Sequence, residues 1–276
     1  LMSARQLKMP LKFCANLAFM FTEGNCSFLE RYRSAKLAGF RGVEGPFPPS
    51  NVTLEEFLRV KNETGLEQIL LNIATGDVPN GQFGCASFVG AEDAFKDNLR
   101  KTIEYAKALN CKKIHIMGGK HSSDSEPGDA NWKTYTENLK FASKLLEENN
   151  ILGVIEPINK CSVPGYFLNN YEKAIEVLRE VNSPNLKMML DLFHLQLIRG
   201  NVTNCIKDYR EFIGHVQIAQ VPDRHEPNTP GECNFPYILK QLESNGYHDD
   251  WIGCEYKPKE DSTGGLGWIQ EFGYTL

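Results

Sequence analysis

The sequence predicts an α/β fold, a single (β/α)8 TIM barrel, and three observations carry that expectation. A chain of 276 residues is long for one sandwich and usual for one eight-fold barrel. Short apolar runs alternate strictly with stretches of helical spacing, which implies a parallel sheet. Polar residues recur at the carboxyl ends of those runs, where a barrel builds its site. An open doubly wound sheet would want a Gly-rich phosphate loop after the first strand, and Asn16 to Asn25 contains no Gly-x-Gly-x-x-Gly.

The elements read in order as follows. Lys12 to Phe21 is a first strand running into a loop that holds Asn16, Thr22 and Glu23. Ser27 caps a helix to about Ala38, which Gly39 ends. Gly42-Val43-Glu44 is a second strand, closing on a carboxylate before Gly45-Pro46. Thr53 with Glu56 forms a capping box for a helix that Gly65 closes, and Gln68 to Ile73 is the third strand. Ala74 to Gly90 is Gly-rich without a helical period, the length of a lid or binding loop. From Glu92 to Asn110 the apolar residues Phe95, Leu99, Ile103 and Ala106 share one helix face. Strand four, Lys113 to Met117, runs into Gly118-Gly119-Lys120-His121, and a helix from Trp132 to about Glu148 leads to Gly153-Val-Ile-Glu156, where Pro157 closes the fifth strand. Helix Tyr171 to Val181, strand Leu186 to Asp191, a helix near Cys205 to Phe212, strand His215 to Ala219, helix Phe235 to Ser244 and strand Trp251 to Tyr256 complete the alternation.

One domain over residues 10–276 is expected, with residues 1–9 as an extension outside the fold. Leu1 to Pro10 carries Arg5 and Lys8 without an apolar centre and does not read as a secretory signal. Hydrophobic residues are 41% and charged residues 24% of the chain, ordinary for a globular protein with a filled core. A net charge of −5 gives no basic field for phosphate backbones, so nucleic acid is not an expected partner. The longest apolar run falls short of a membrane span. The eight cysteines are scattered singly with no Cys-x-x-Cys pair, which removes zinc-ribbon and thioredoxin-type motifs and suits reduced thiols in the cytoplasm.

At the strand ends stand Glu156, Asp191, Gln217 and Glu255, one from each of strands five to eight. Any one of them alone is more often a helix cap or a surface residue. Together they supply oxygen ligands suited to a hard divalent cation such as magnesium or manganese, and without one their mutual repulsion is costly. Asp191 is flanked by apolar residues, and Glu255 with Pro258 repeats the pattern of Glu156 with Pro157. His194, whose bland role is a packed histidine at a helix start, is a candidate to polarise a substrate oxygen. Arg224 and Lys257 are candidates for a substrate carboxylate, or else solvated rim charges. His115 and His215 read as structural, while Lys120 and His121 are placed to line a pocket.

The segments Val154-Ile155-Glu156-Pro157-Ile158-Asn159, Asp191-Leu192-Phe193-His194, His215-Val216-Gln217-Ile218-Ala219 and Gly253-Cys254-Glu255-Tyr256 resemble those of the hydroxypyruvate isomerase family, within the xylose-isomerase-like barrels. Ala15-Asn16-Leu17 and Arg224-His225-Glu226-Pro227 match as well, and the resemblance runs from about Pro10 to Pro258. It implies aldose-ketose isomerisation of a small 2-oxo acid, hydroxypyruvate to 2-hydroxy-3-oxopropanoate (tartronate semialdehyde), with Glu156 and Glu255 as proton donor and acceptor. A magnesium or manganese ion is the implied cofactor, with its necessity open, and a homo-oligomer is compatible. This chain departs from the family in Gln220, where an acidic residue is expected, and in Gln82-Phe83, where an arginine is expected. Gln217 stands where ketose 3-epimerases of the same barrel type carry a histidine ligand. A sugar epimerase acting on a longer ketose is the alternative.

Overall fold

The computed structural model describes residues 11–76, 81–122, 127–248 and 250–276, so the expected extension at residues 1–9 lies outside the described residues. The chain runs β1 (Lys12–Asn16), α1 (Phe28–Leu37), β2 (Gly42–Gly45), α2 (Leu54–Thr64), β3 (Glu67–Asn72), α3 (Glu92–Ala108), β4 (Lys113–His115), α4 (Asp129–Glu148), β5 (Leu152–Ile155) and α5 (Tyr171–Val181). It continues through β6 (Leu186–Asp191), α6 (Leu192–Ile198), α7 (Val202–Tyr209), β7 (Ile213–Ile218), α8 (Phe235–Ser244), β8 (Trp251–Cys254) and α9 (Gly267–Glu271). The strands close into a barrel in chain order, with β1 parallel to β8 through Lys12 opposite Trp251 and Cys14 opposite Gly253. The predicted eight-fold barrel is the fold.

Local chemistry explains the boundaries. Ser27 with Glu30 and Thr53 with Glu56 form reciprocal capping boxes at α1 and α2. Gly65 ends α2 in the left-handed region at φ 64°, which costs a glycine no Cβ strain. β1 stops at Asn16 rather than running to Phe21, because the Asn16 side-chain oxygen accepts from the Ala18 N–H and turns the chain. β8 stops at Cys254, which leaves Glu255 one residue past the strand, as Glu156 is past β5. α6 is an addition to the sequence reading. Asp191 caps it by accepting from the Phe193 N–H at 2.8 Å.

Two layers follow from the strand period of two. Phe13, Val43, Leu71, Ile114, Ile155 and Leu190 pack outward against the helices in the main apolar core. Inside the barrel the lower layer is closed partly by Leu70, Val154 and Met189, which form a cluster of their own. Two residues further along each of these strands come Asn72, Glu156 and Asp191, so the layer above is polar. Among the described residues no helix is long and apolar enough to cross a membrane, and all eight cysteines are unpaired.

Candidate active site

A cavity of about 690 Å³ opens at the carboxyl end of the barrel. Its inner wall includes Glu156, Glu255, His115, His194 and Arg224, and its outer wall includes Phe47, Gln82, Asn98 and Lys101. The loop expected to close over the site contributes Ala74, Thr75, Gly76, Gln82 and Phe83 to that wall, and its residues 77–80 lie outside the described residues.

The ends of β5, β6 and β8 and the start of α6 bring Glu156, Asp191, Glu255 and His194 together, with ligand atoms all within 4.8 Å of one another. Burial, then the negative charges of Glu255 and Asp191, push the Glu156 carboxyl well above the usual carboxylate range. Burial also raises Glu255 well above that range, against the pull of Arg224. Arg224 donates to Glu255 Oε2 at 2.6 Å and reaches Asp191 Oδ2 at 3.4 Å. Its guanidinium lies 4.6 Å from the ring centres of both Phe19 and Phe193, a stacked and desolvated arrangement that a lysine could not copy. Arg224 is therefore already engaged by the protein's own carboxylates.

His194 has its Nδ1 facing the Asn159 N–H at 3.3 Å, so in the neutral ring the proton sits on Nε2. That Nε2 lies 3.4 Å from Asp191 Oδ2 and 3.6 Å from Glu156 Oε1. Burial lowers the His194 pKa to about 4, so the ring is a neutral donor into the site near neutral pH. His115, read from sequence as structural, is on the cavity wall with Nε2 3.4 Å from Glu156 Oε2. Burial lowers its pKa to about 3. The signal for His115 was available in the strand period, since it shares a face with Lys113 and ends β4.

Gln217 on β7 pairs in register with Asp191 and with Gly253. Its Nε2 donates to Glu44 Oε1 at 2.7 Å, while its Oε1 is buried without a partner, as is Glu156 Oε1. Buried oxygens left without donors beside three carboxylates fit a hard divalent cation held by Glu156, Asp191, Gln217 and Glu255. Glu44 itself is fully buried. Burial raises its pKa, but His215 and the amides of Asn16 and Gln217 outweigh that and hold it below the usual range.

Other sequence candidates fall outside the cavity. Lys257 is exposed and does not line it, because the chain has left the strand after Cys254; its backbone N–H donates to the Arg224 carbonyl at 2.7 Å and its carbonyl faces His225 Nδ1 at 2.8 Å. Lys120 pairs its backbone with Tyr166 and His121 bonds Ser87, and neither lines the cavity. Gln220 spends its amide on the Pro227 and Cys233 carbonyls and on the Val221 and Cys233 N–H groups, a clamp on the loop after β7. Sequence reasoning passed over Lys101, which α3 brings to the outer wall and which makes no ion pair among the described residues.

A family model, the xylose isomerase-like TIM barrel, matches residues 32–272. The chain belongs to that family. A Drosophila melanogaster protein provisionally named hydroxypyruvate isomerase is 45% identical over 97% of this chain and 100% of its own. A 2-oxo-tetronate isomerase of Cupriavidus necator is 39% identical, covering 95% of this chain and 98% of its own. A crystal structure from Brucella melitensis, titled as an AP endonuclease of family 2, superposes with a TM-score of 0.87 at 39% identity, over 95% of this chain and 99% of that one. The protein is an enzyme of the isomerase class within this xylose isomerase-like family.

Proposed function

We propose that the protein interconverts hydroxypyruvate and 2-hydroxy-3-oxopropanoate by moving a proton between neighbouring carbons through an enediol, with Glu156 and Glu255 as the two proton-transfer groups. The observation that carries this is the pair itself: two carboxyls just past the ends of β5 and β8, Glu156 buried and Glu255 partly so, on one cavity wall with their pKa values pushed up. A carboxylate whose proton affinity is raised is the better base for a carbon-bound proton. One glutamate takes the proton from C3 and the C3–H electron pair forms the C2–C3 double bond of the enediol. The carbonyl oxygen on C2 gains a proton as the C3 hydroxyl loses its own, and C2 receives a proton to leave an aldehyde at C3. The Nε2–H of His194 faces this space and can donate to the substrate oxygen that gains negative charge. A divalent cation held by Glu156, Asp191, Gln217 and Glu255 would add positive charge beside the same oxygen.

The test is turnover of hydroxypyruvate by the purified protein, with chelator or with added magnesium or manganese, beside Glu156→Gln and Glu255→Gln. The expected result is loss of turnover in both variants by about a thousandfold or more. Unchanged turnover in either variant refutes the paired-glutamate mechanism.

One observation favours a longer substrate as a second reading. The cavity of about 690 Å³ far exceeds a three-carbon acid, which fills on the order of 100 Å³, about three waters of liquid. Its outer wall carries the polar side chains Gln82, Asn98 and Lys101 beside Phe47 and Phe83, and a relative bears the name 2-oxo-tetronate isomerase. Comparing kcat/KM for three-carbon and four-carbon 2-oxo acids separates the two, and turnover of a ketose sugar instead would move the assignment to an epimerase.

A further inference from the structure

Glu44 is a fully buried carboxylate at the end of β2 that the isomerisation above does not use. Donors surround it. Oε2 lies 2.5 Å from His215 Nε2 and 3.7 Å from Cys14 Sγ. Oε1 lies 2.9 Å from Asn16 Nδ2 and 2.7 Å from Gln217 Nε2.

Two of these donors are oriented by groups other than Glu44. The Asn16 Oδ1 accepts from the Ala18 backbone N–H at 3.0 Å, so its NH2 must face the other way, toward Glu44. The His215 Nδ1 faces the Lys113 Nζ at 3.4 Å, and an ammonium has only hydrogens to offer, so Nδ1 accepts and Nε2 carries the proton. Lys113 is anchored in turn by both oxygens of Asp250, at 2.9 and 2.8 Å. Glu44 is thus obliged to accept from both sides. Gln217, reaching the same Oε1, can present only its NH2, and its own Oε1 is the atom left over, buried and unpartnered. The same two NH2 groups reach onward to Glu255 Oε1, at 3.0 Å from Asn16 and 3.4 Å from Gln217. The neighbouring strand leaves room for this. A Cβ at Gly253 would collide with the Glu44 carboxylate.

We propose that Glu44 is a positioning residue: through the amides of Asn16 and Gln217 it fixes the place of Glu255 and turns the Gln217 oxygen outward as a ligand for a divalent cation. This rests on the roles given above to Glu255 and Gln217. It explains why a carboxylate, and not an amide, stands at the end of β2, since an amide could donate as well as accept and would release Gln217 to flip.

The experiment is Glu44→Gln read in three ways. In 15N-labelled wild type, the side-chain NH2 protons of Asn16 and Gln217 should exchange slowly with solvent, and those of Gln217 should lose protection in the variant. Manganese affinity, titrated without substrate, should fall about tenfold or more, and kcat should fall by a similar factor with KM within about twofold. In an Asn16→Ala, Gln217→Met background the same substitution should cost less than about twofold, because the intermediaries are gone. Wild-type amide exchange and manganese affinity in Glu44→Gln, or an undiminished further loss in that background, overturns the proposal. Should Glu44→Gln alone fail to fold, Glu44→Gln with His215→Gln replaces the imidazole–carboxylate hydrogen bond by an amide pair and gives the same readouts. If the wild type neither binds manganese nor turns over a 2-oxo acid, the functional reading fails, while the amide exchange still decides what Glu44 does.

Discussion

Arg224 shows how many constraints can meet on one residue. Its backbone sits in the left-handed region at φ 59°, its carbonyl accepts from the Lys257 N–H, its guanidinium is held between Phe19 and Phe193, and one nitrogen serves Glu255 and Asp191. The sequence offered it for a substrate carboxylate or as a solvated rim charge; in the structure it lines the cavity and is paired with Glu255 and Asp191, which moderates the Glu255 pKa. Arg224→Lys keeps the charge but loses the planar fork and the stacking. The expected outcome is a fall of about tenfold in kcat, measured at saturating substrate, since a misplaced Glu255 affects the proton-transfer step more than binding. Gly253 is the other residue whose identity is forced. Gly253→Ala drives a methyl into the Glu44 carboxylate, and overpacking at a fully buried, hydrogen-bonded group should cost about 2–3 kcal/mol. The midpoint of urea unfolding measures it, and an unchanged midpoint would mean that Glu44 shifts aside freely.

At the scale of elements, the carboxyl ends of the strands place the inner wall, while α3 and the loop after β3 place the outer one. Lys101 comes from α3, and its Nζ lies 5.5 Å from the centre of the Phe47 ring. With Arg224 engaged, Lys101 is the remaining cation among the described residues lining the cavity, and it stands on the same wall as Gln82. Lys101→Met should raise KM for an anionic substrate by about fivefold to tenfold with little change in kcat, the size of one partly exposed charge pair. An unchanged KM would place the substrate carboxylate elsewhere. α6 belongs to this scale as well. The sequence ends the sixth strand at Asp191, as the structure does, but period alone gives the short apolar run Leu192–Ile198 no helix of its own, and strand and helix meet there without a loop. What separates them is Asp191, whose Oδ1 caps the helix while Oδ2 faces His194. Lys257, offered by the sequence for a substrate carboxylate or as a rim charge, is exposed and does not line the cavity, since β8 ends at Cys254.

For the whole molecule, closure of the barrel is what sets Glu156, Asp191 and Glu255 within one small volume. Buried like charges destabilise the fold unless they are neutralised, and a cation that binds only the folded state stabilises it in proportion to its concentration. Manganese at a hundred times its Kd should add about 2.7 kcal/mol. For a chain of this size that is a rise of several degrees in the unfolding temperature, reversed by chelator and absent from Glu156→Gln. A wild-type transition that ignores the metal would remove the cation from the site.

The sequence by itself determined the barrel and the glutamate pair. Strand and helix periods are local properties, and a carboxylate followed by proline at the end of a buried run is visible without any neighbour. It also offered Asp191, Gln217 and His194 as candidates, since each lies within three residues of a strand end. What only the tertiary structure decided is which polar groups meet. Glu44 and His215 lie on β2 and β7, three strands apart around the closed barrel and far apart in sequence, and His115 gains its place from its distance to Glu156. Lys101 reaches the cavity from a helix whose one-dimensional pattern shows a buried face and an exposed one. Pairings of this kind depend on closure of the sheet, which brings together residues far apart in sequence, and no local pattern encodes them.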